Sequence, residues 1–302
     1  MVSAKPWKLD AIVRLFLSVI LCVFAGSLAG TVLYYTEAGH RLRPWFFVLV
    51  ALALGFLGTT LRLLRRRWSL EELMPRALVM MITFYAGFLL GLWAQKIAGA
   101  PPSVMNGGQV LIAGLSFQGA ALVLIGWFLK EHRMSWADAF GFDHHWLHAL
   151  LLGVALACLY LPVGRWLQSS SAELMLKWRV NPQEQETVKA LRTTTGWTYG
   201  FALGLVAIVL APVAEEMLFR GILYPAIKQA GHPRLALWGT ALLFAGVHFN
   251  LVIGVPLFVL ALVLALLYEK TNNLLAPITA HAAFNALNFA ILYWEQKQGH
   301  WT

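Results

Sequence analysis

Apolar stretches about as long as a bilayer is thick recur along the whole chain, at roughly 11–35, 44–64, 76–98, 108–129, 146–163, 198–229, 235–250, 253–269 and 274–294. A helix needs about 20 such residues to cross the hydrocarbon. Only helices and closed barrels satisfy every backbone N–H and C=O in that solvent, and the short alternating strands of a barrel are not seen in the sequence. The expected fold class is therefore all-α, a polytopic membrane helical bundle of about eight or nine transmembrane helices. Composition agrees: 59% of the 302 residues are hydrophobic and 12% charged, against about 45–50% and about 25% in soluble domains.

Charge then addresses topology. There are 23 Lys and Arg against 14 Asp and Glu, a net charge of +9, and many of the basic residues lie in short linkers, where they set orientation and meet anionic headgroups. This excess points to membrane surfaces and not to a nucleic-acid partner. The cluster RLLRRRW at 62–68, with Lys5 and Lys8, predicts a cytoplasmic N-terminus and second loop. The polar segment at about 164–195 is expected on the opposite side, although its own Arg165, Lys177, Arg179, Lys189 and Arg192 oppose that placement. Cys22 and Cys158 lie in separate apolar runs and predict neither a disulfide framework nor a cysteine metal site. The first apolar run lacks a small-residue cleavage site and is expected to be retained. Small residues four apart, at Gly26/Gly30, Gly87/Gly91 and Gly196/Gly200/Gly204, predict close helix approach. His144, His145 and His148, beside Trp146, read as interfacial anchors and not as metal ligands. The expected organisation is residues 1–195 as helices of unassigned role, 196–294 as the functional core, and 295–302 as a short polar tail.

The core is set apart by ionisable groups inside its apolar runs. Such a group near the bilayer centre costs roughly 2.5–3.5 kcal/mol on insertion scales, so each is a functional candidate that needs a partner. They are Glu215, Glu216 and Arg220 in APVAEEMLFRG, His248 in LLFAGVHFN, and His281 with Asn285 in PITAHAAFNALN. Residues four apart share a helix face, so Glu216 and Arg220 are expected to pair. Glu215, turned about 100° away, is left without a local partner and is the candidate general base. His281 and Asn285 likewise share a face. Counting from the polar turn KQAGHPR at a rise of about 1.5 Å per residue, Glu215 and His248 reach the same depth, roughly 20 Å, whereas His281 is level with them only if its helix is tilted or begins deeper.

EEMLFR resembles the EExxxR motif, FAGVH (Phe244 to His248) resembles FxxxH, and HAAFN (His281 to Asn285) resembles HxxxN. They occur in the order found in the CAAX prenyl protease type 2 family, also called the CPBP or Abi family, and the resemblance covers about residues 198–294. It implies an intramembrane glutamate-dependent endopeptidase. On this chain Glu215 with His248 would activate a water, His281 and Asn285 would stabilise the oxyanion, and Glu216, Arg220 and Phe244 would support the site. The implied partners are the lipid bilayer and a membrane-associated protein or peptide, and the implied location is a multi-pass protein of a bacterial inner membrane. No cofactor is implied. The alternative of Zn²⁺ held by Glu215, His248 and His281 stays open on residue types alone, as do a non-catalytic immunity or scaffold protein of the same family and a proton- or ion-coupled transporter.

Overall fold

The structure, a computed structural model, describes residues 5–37, 44–66, 68–79, 82, 107–142, 145–193 and 197–297. His144, Gly87, Gly91, Gly196 and nearly all of the expected span at 76–98 lie outside these residues. Every regular element described is helical. Among the described residues, six helices are long and apolar enough to cross a membrane: Leu9–Val32, Gly108–Glu131, Trp146–Lys177, Thr198–Gln229, Leu251–Thr271 and Leu275–Glu295. The expected span at 235–250 is instead the helix Pro233–Gly246, which has 14 residues and rises only about 21 Å. The expected polar segment at 164–195 begins later than its charges imply, because the helix from Trp146 runs on to Lys177 with Pro162 inside it. The last helix extends to Lys297, into the expected tail.

The chain forms two compact units. In the unit Lys8–Leu124, the helix Leu9–Glu37 packs on Pro44–Arg65, on Gly107–Gly114 and on the π-helical turn Leu115–Gly119. Leu21, Leu63 and Leu73 form its small core, with Val13, Leu17, Phe56 and Trp68 around them. Gly26 is the close approach its spacing predicted, since a Cβ there would lie 1.8 Å from Ser116 Oγ.

The other unit, Met1–Trp7 with Ile125–Thr302, carries the candidate residues. The helices Trp146–Lys177 and Leu275–Lys297 pack closely along each other, and both pack on Leu251–Thr271. A Cβ on Gly153 would lie 2.7 Å from the Ala276 carbonyl oxygen, so backbone meets backbone at that crossing. No four-residue repeat flagged Gly153, whereas Gly200, which such a repeat did flag, faces open space.

The segment 197–229 is one continuous helical rod with two π-helical stretches, Val206–Leu210 and Met217–Leu223, joined to the α-helical turns Trp197–Leu205, Ala211–Glu216 and Tyr224–Gln229. Pro212 and Pro225 account for them. Proline has no N–H, and its ring collides with the carbonyl one turn back, so the ladder re-registers before each one. A wider turn at a proline, with carbonyls freed from the ladder, is where other groups gain access to the backbone. Gly221, four residues before Pro225, receives no helical N–H from it, and the Trp7 indole N–H donates to the Gly221 carbonyl at 3.2 Å. Trp7 is held there against Phe128 and His132, and the neighbouring Lys5 Nζ donates to the Asp138 carbonyl. Burial pushes the Lys5 amine down from its usual range, partly offset by the Asp138 carboxylate.

Candidate active site

Glu216 is the centre of the arrangement and has no solvent exposure. Its Oε1 accepts from Arg220 Nη1 at 2.7 Å and from His281 Nδ1 at 2.9 Å. The first bond is the one that four-residue spacing predicts. The second brings the last helix level with the first motif. The residues ahead of the helix that carries His281 are enclosed by the protein: Asn273 and Leu274 are buried at 1% and 0% exposure, and Leu274 N–H donates to the Phe140 carbonyl.

Arg220 is 1% exposed and fully engaged. Besides Glu216 it donates from Nη2 to the Ala261 carbonyl at 3.2 Å, and its guanidinium lies 4.4 Å from the centre of the Phe244 ring. Phe244 thus does more than flank a histidine. Its ring also meets Phe219, His248 and His281 at centroid separations of 5.2, 5.1 and 5.7 Å. One aromatic side chain therefore packs against residues from all three motifs. The carbonyl of Ala261 and this fourfold contact were not legible from motif spacing, because they depend on which helix faces which.

The two histidines are oriented in the same way. His248 Nδ1 lies 2.7 Å from the carbonyl of Phe244, an oxygen that can only accept, so Nδ1 carries the proton. His281 Nδ1 likewise donates to the Glu216 carboxylate. Each neutral imidazole then presents an Nε2 lone pair, and Nε2 becomes a donor only when the ring is doubly protonated. Fixing one ring nitrogen in this manner sets both the tautomer and the angle of the other.

Glu215 is 6% exposed and makes no hydrogen bond or ion pair among the described residues. It is the carboxylate left without a hydrogen-bonding partner, as its position one residue from Glu216 implies, while its charge acts at longer range on Arg220. Glu216 has a buried Oε2 without a hydrogen-bond partner, but its Oε1 is spent on two cations or donors.

Asn285 reaches across to the helical rod that carries the first motif. Its Nδ2 donates to the Ala207 carbonyl at 2.9 Å. Ala211 N–H, the α-helical partner of that carbonyl, turns instead to Val206, and the π-helical partner five residues on is Pro212. The Ala207 carbonyl is therefore left without a helical donor, and Asn285 supplies one. A backbone group unpaired in an apolar surround costs about 1–3 kcal/mol. Asn285→Ala is accordingly expected to lower stability by about that amount, and Pro212→Ala, which restores the missing N–H, to recover much of the loss in the double variant. Thermal denaturation of the wild type, both single variants and the double variant measures this coupling, and strictly additive losses would refute it.

Zinc would require Glu215, His248 and His281 to converge. Among the described residues no group of three or more His, Cys, Asp or Glu is gathered to hold a metal ion.

Comparison with known proteins bears on this same segment. Residues 197–287 match the family model described as type II CAAX prenyl endopeptidase Rce1-like. A curated relative, the uncharacterized protein YpbD of Bacillus subtilis (strain 168), is 37% identical over 83 residues, which is 26% of this chain and 40% of the relative. The match thus covers less than half of that relative's length. No solved structure matches the chain.

Proposed function

Since residues 197–287 carry the type II CAAX prenyl endopeptidase pattern in an integral membrane protein, we propose that the protein is an intramembrane endopeptidase. It hydrolyses a peptide bond near the membrane surface in a membrane-associated substrate, such as a lipidated protein or a C-terminal tail, and resides in a bacterial inner membrane. The observation that carries this reading is the contrast between adjacent carboxylates. Glu216 is locked by Arg220 and His281, while Glu215 beside it is buried and has no hydrogen-bonding partner among the described residues.

In the proposed reaction Glu215 takes a proton from a water whose oxygen attacks the scissile carbonyl carbon. His248, through the Nε2 lone pair fixed by its bond to Phe244, holds that water. The developing oxyanion accepts from the second Nδ2–H of Asn285 and from His281 Nε2 when that ring is doubly protonated. Collapse of the tetrahedral intermediate breaks the C–N bond, and the proton held by Glu215 passes to the leaving amine. Positioned bases and oxyanion donors each contribute about 10²–10⁴-fold in such reactions, and a water-poor site strengthens both.

The test is cleavage of a quenched-fluorescent library of membrane-anchored peptides by the purified protein in detergent. Wild type is expected to cut, with activity retained in a strong zinc chelator, and His248→Ala to lose about 10²-fold or more. Loss of activity on chelation would replace the glutamate-only mechanism with a metal-dependent one. Absence of any cut product across the library, from protein that is folded and monodisperse, would favour the scaffold or immunity alternative.

A further inference from the structure

A cavity of about 500 Å³ lies in the unit Lys8–Leu124, far in sequence from every motif discussed above, with Arg62, Leu63, Trp68, Pro75, Arg76 and Val79 in its wall. That volume is in the range of small-ligand sites. Three observations say what it takes. First, cations converge on it. Arg62 lines it and its guanidinium has no ion-pair partner among the described residues, and Arg76 stacks its guanidinium 4.4 Å from the Trp68 ring centre. Arg66 stacks at the same 4.4 Å on that ring, but is already neutralised by Glu72 at 3.1 Å.

Second, the wall holds a donor that nothing accepts from. Trp68 Nε1 is buried without a hydrogen-bond partner, a state that favours a ligand bringing an acceptor oxygen. Third, the cavity sits where the helix Pro44–Arg65 changes from apolar to basic. Its preceding side chains Leu54, Leu57 and Leu61 are exposed at 63%, 43% and 51%, as suits contact with lipid, and Leu63, Pro75 and Val79 continue the apolar surface into the cavity. The acidic groups nearby are accounted for. Glu72 is bonded to Arg66 and to the Ser69 N–H, while Glu71 and Asp10 line a separate cavity with Trp68, Ser69 and Leu70.

We propose that this cavity is a binding site for one anionic phospholipid, whose phosphate oxygens are held by Arg62, Arg76 and the Trp68 indole N–H and whose glycerol and upper acyl chain lie on Leu63, Pro75 and Val79. A guanidinium fork matches a phosphate in both charge and geometry. The apolar wall selects an amphipathic ligand over free phosphate, and basic pockets between transmembrane segments are suited to such headgroups.

Native mass spectrometry of the full-length protein in detergent tests this, with phosphatidylglycerol, phosphatidylcholine or inorganic phosphate added. The expected result is a single retained phosphatidylglycerol adduct at low lipid excess, at least about tenfold weaker for phosphatidylcholine, and not displaced by millimolar phosphate. Arg62→Gln/Arg76→Gln is expected to reduce the adduct about tenfold or more, and Trp68→Phe, which removes the indole N–H while keeping an aromatic ring, several-fold. Arg179→Gln, outside the cavity, is expected to leave it unchanged. If the double variant does not fold, the two single arginine variants are read in its place, each against its own thermal denaturation curve. Equal adducts in wild type and variants, equal retention of the zwitterionic lipid, or displacement by free phosphate would each overturn the proposal.

Discussion

Glu215→Gln lowers peptide cleavage by about 10²–10⁴-fold, the contribution of a positioned general base, and leaves the melting temperature unchanged or slightly raised. Both halves follow from where the side chain sits. Glutamine keeps the shape but cannot accept a proton from water at neutral pH, so the chemical step loses its base. Because Glu215 makes no hydrogen bond or ion pair among the described residues and is only 6% exposed, the fold gives up only its longer-range attraction to Arg220, which the relief of a buried charge offsets. Initial rates on any substrate cut by wild type, with a thermal denaturation curve of the same preparation, measure the two effects. A variant that cuts at near wild-type rate would remove Glu215 from the reaction, and one that unfolds would assign it to the scaffold.

Glu216→Gln gives the opposite pattern, a loss of stability of about 3–5 kcal/mol, the usual consequence of breaking a buried ion pair on one side. Arg220 has no exposed route to water, and after the substitution it loses its direct carboxylate partner and keeps the more distant Glu215 charge, the Ala261 carbonyl and the Phe244 ring. His281 loses the acceptor that sets its tautomer as well. The discriminating variant is Glu216→Gln/Arg220→Met, in which neither charge is buried. It is expected to regain much of the stability lost by Glu216→Gln while remaining impaired in catalysis, because His281 is still untethered. Denaturation midpoints for the two single variants and the double variant supply the cycle. If the double variant is no more stable than Glu216→Gln, the ion pair is not what holds these helices.

The sequence carried the residues of this site better than it carried their partners. Four-residue spacing on a helix gave the Glu216–Arg220 pair and left Glu215 alone, and both hold in the structure. The same arithmetic left His281 unplaced relative to the first motif, since nothing in a count of residues reveals its bond to Glu216. Asn285 shows the limit most clearly. Its partner is a carbonyl at Ala207, 78 positions away, made available by a proline and a change of helical register. Pro212 was visible in the sequence, but its effect depends on the neighbour that fills the gap. Helices were legible because lipid forces the backbone to satisfy itself. Their ends were less so: a polar face on a long helix looks like a loop, as the run from 164 to Lys177 shows.

The indole of Trp7 on the Gly221 carbonyl joins two points 214 residues apart, and this imposes an order on biogenesis. A chain is made from its N-terminus at about 5–20 residues per second, so Trp7 waits for some ten seconds or more before its acceptor exists. Through that interval every helix up to Met217 can enter the bilayer, but the turn ahead of Pro225 cannot be closed. The π-helical stretch that carries Arg220 is thus tied to the first residues of the chain only after Gly221 itself has been made.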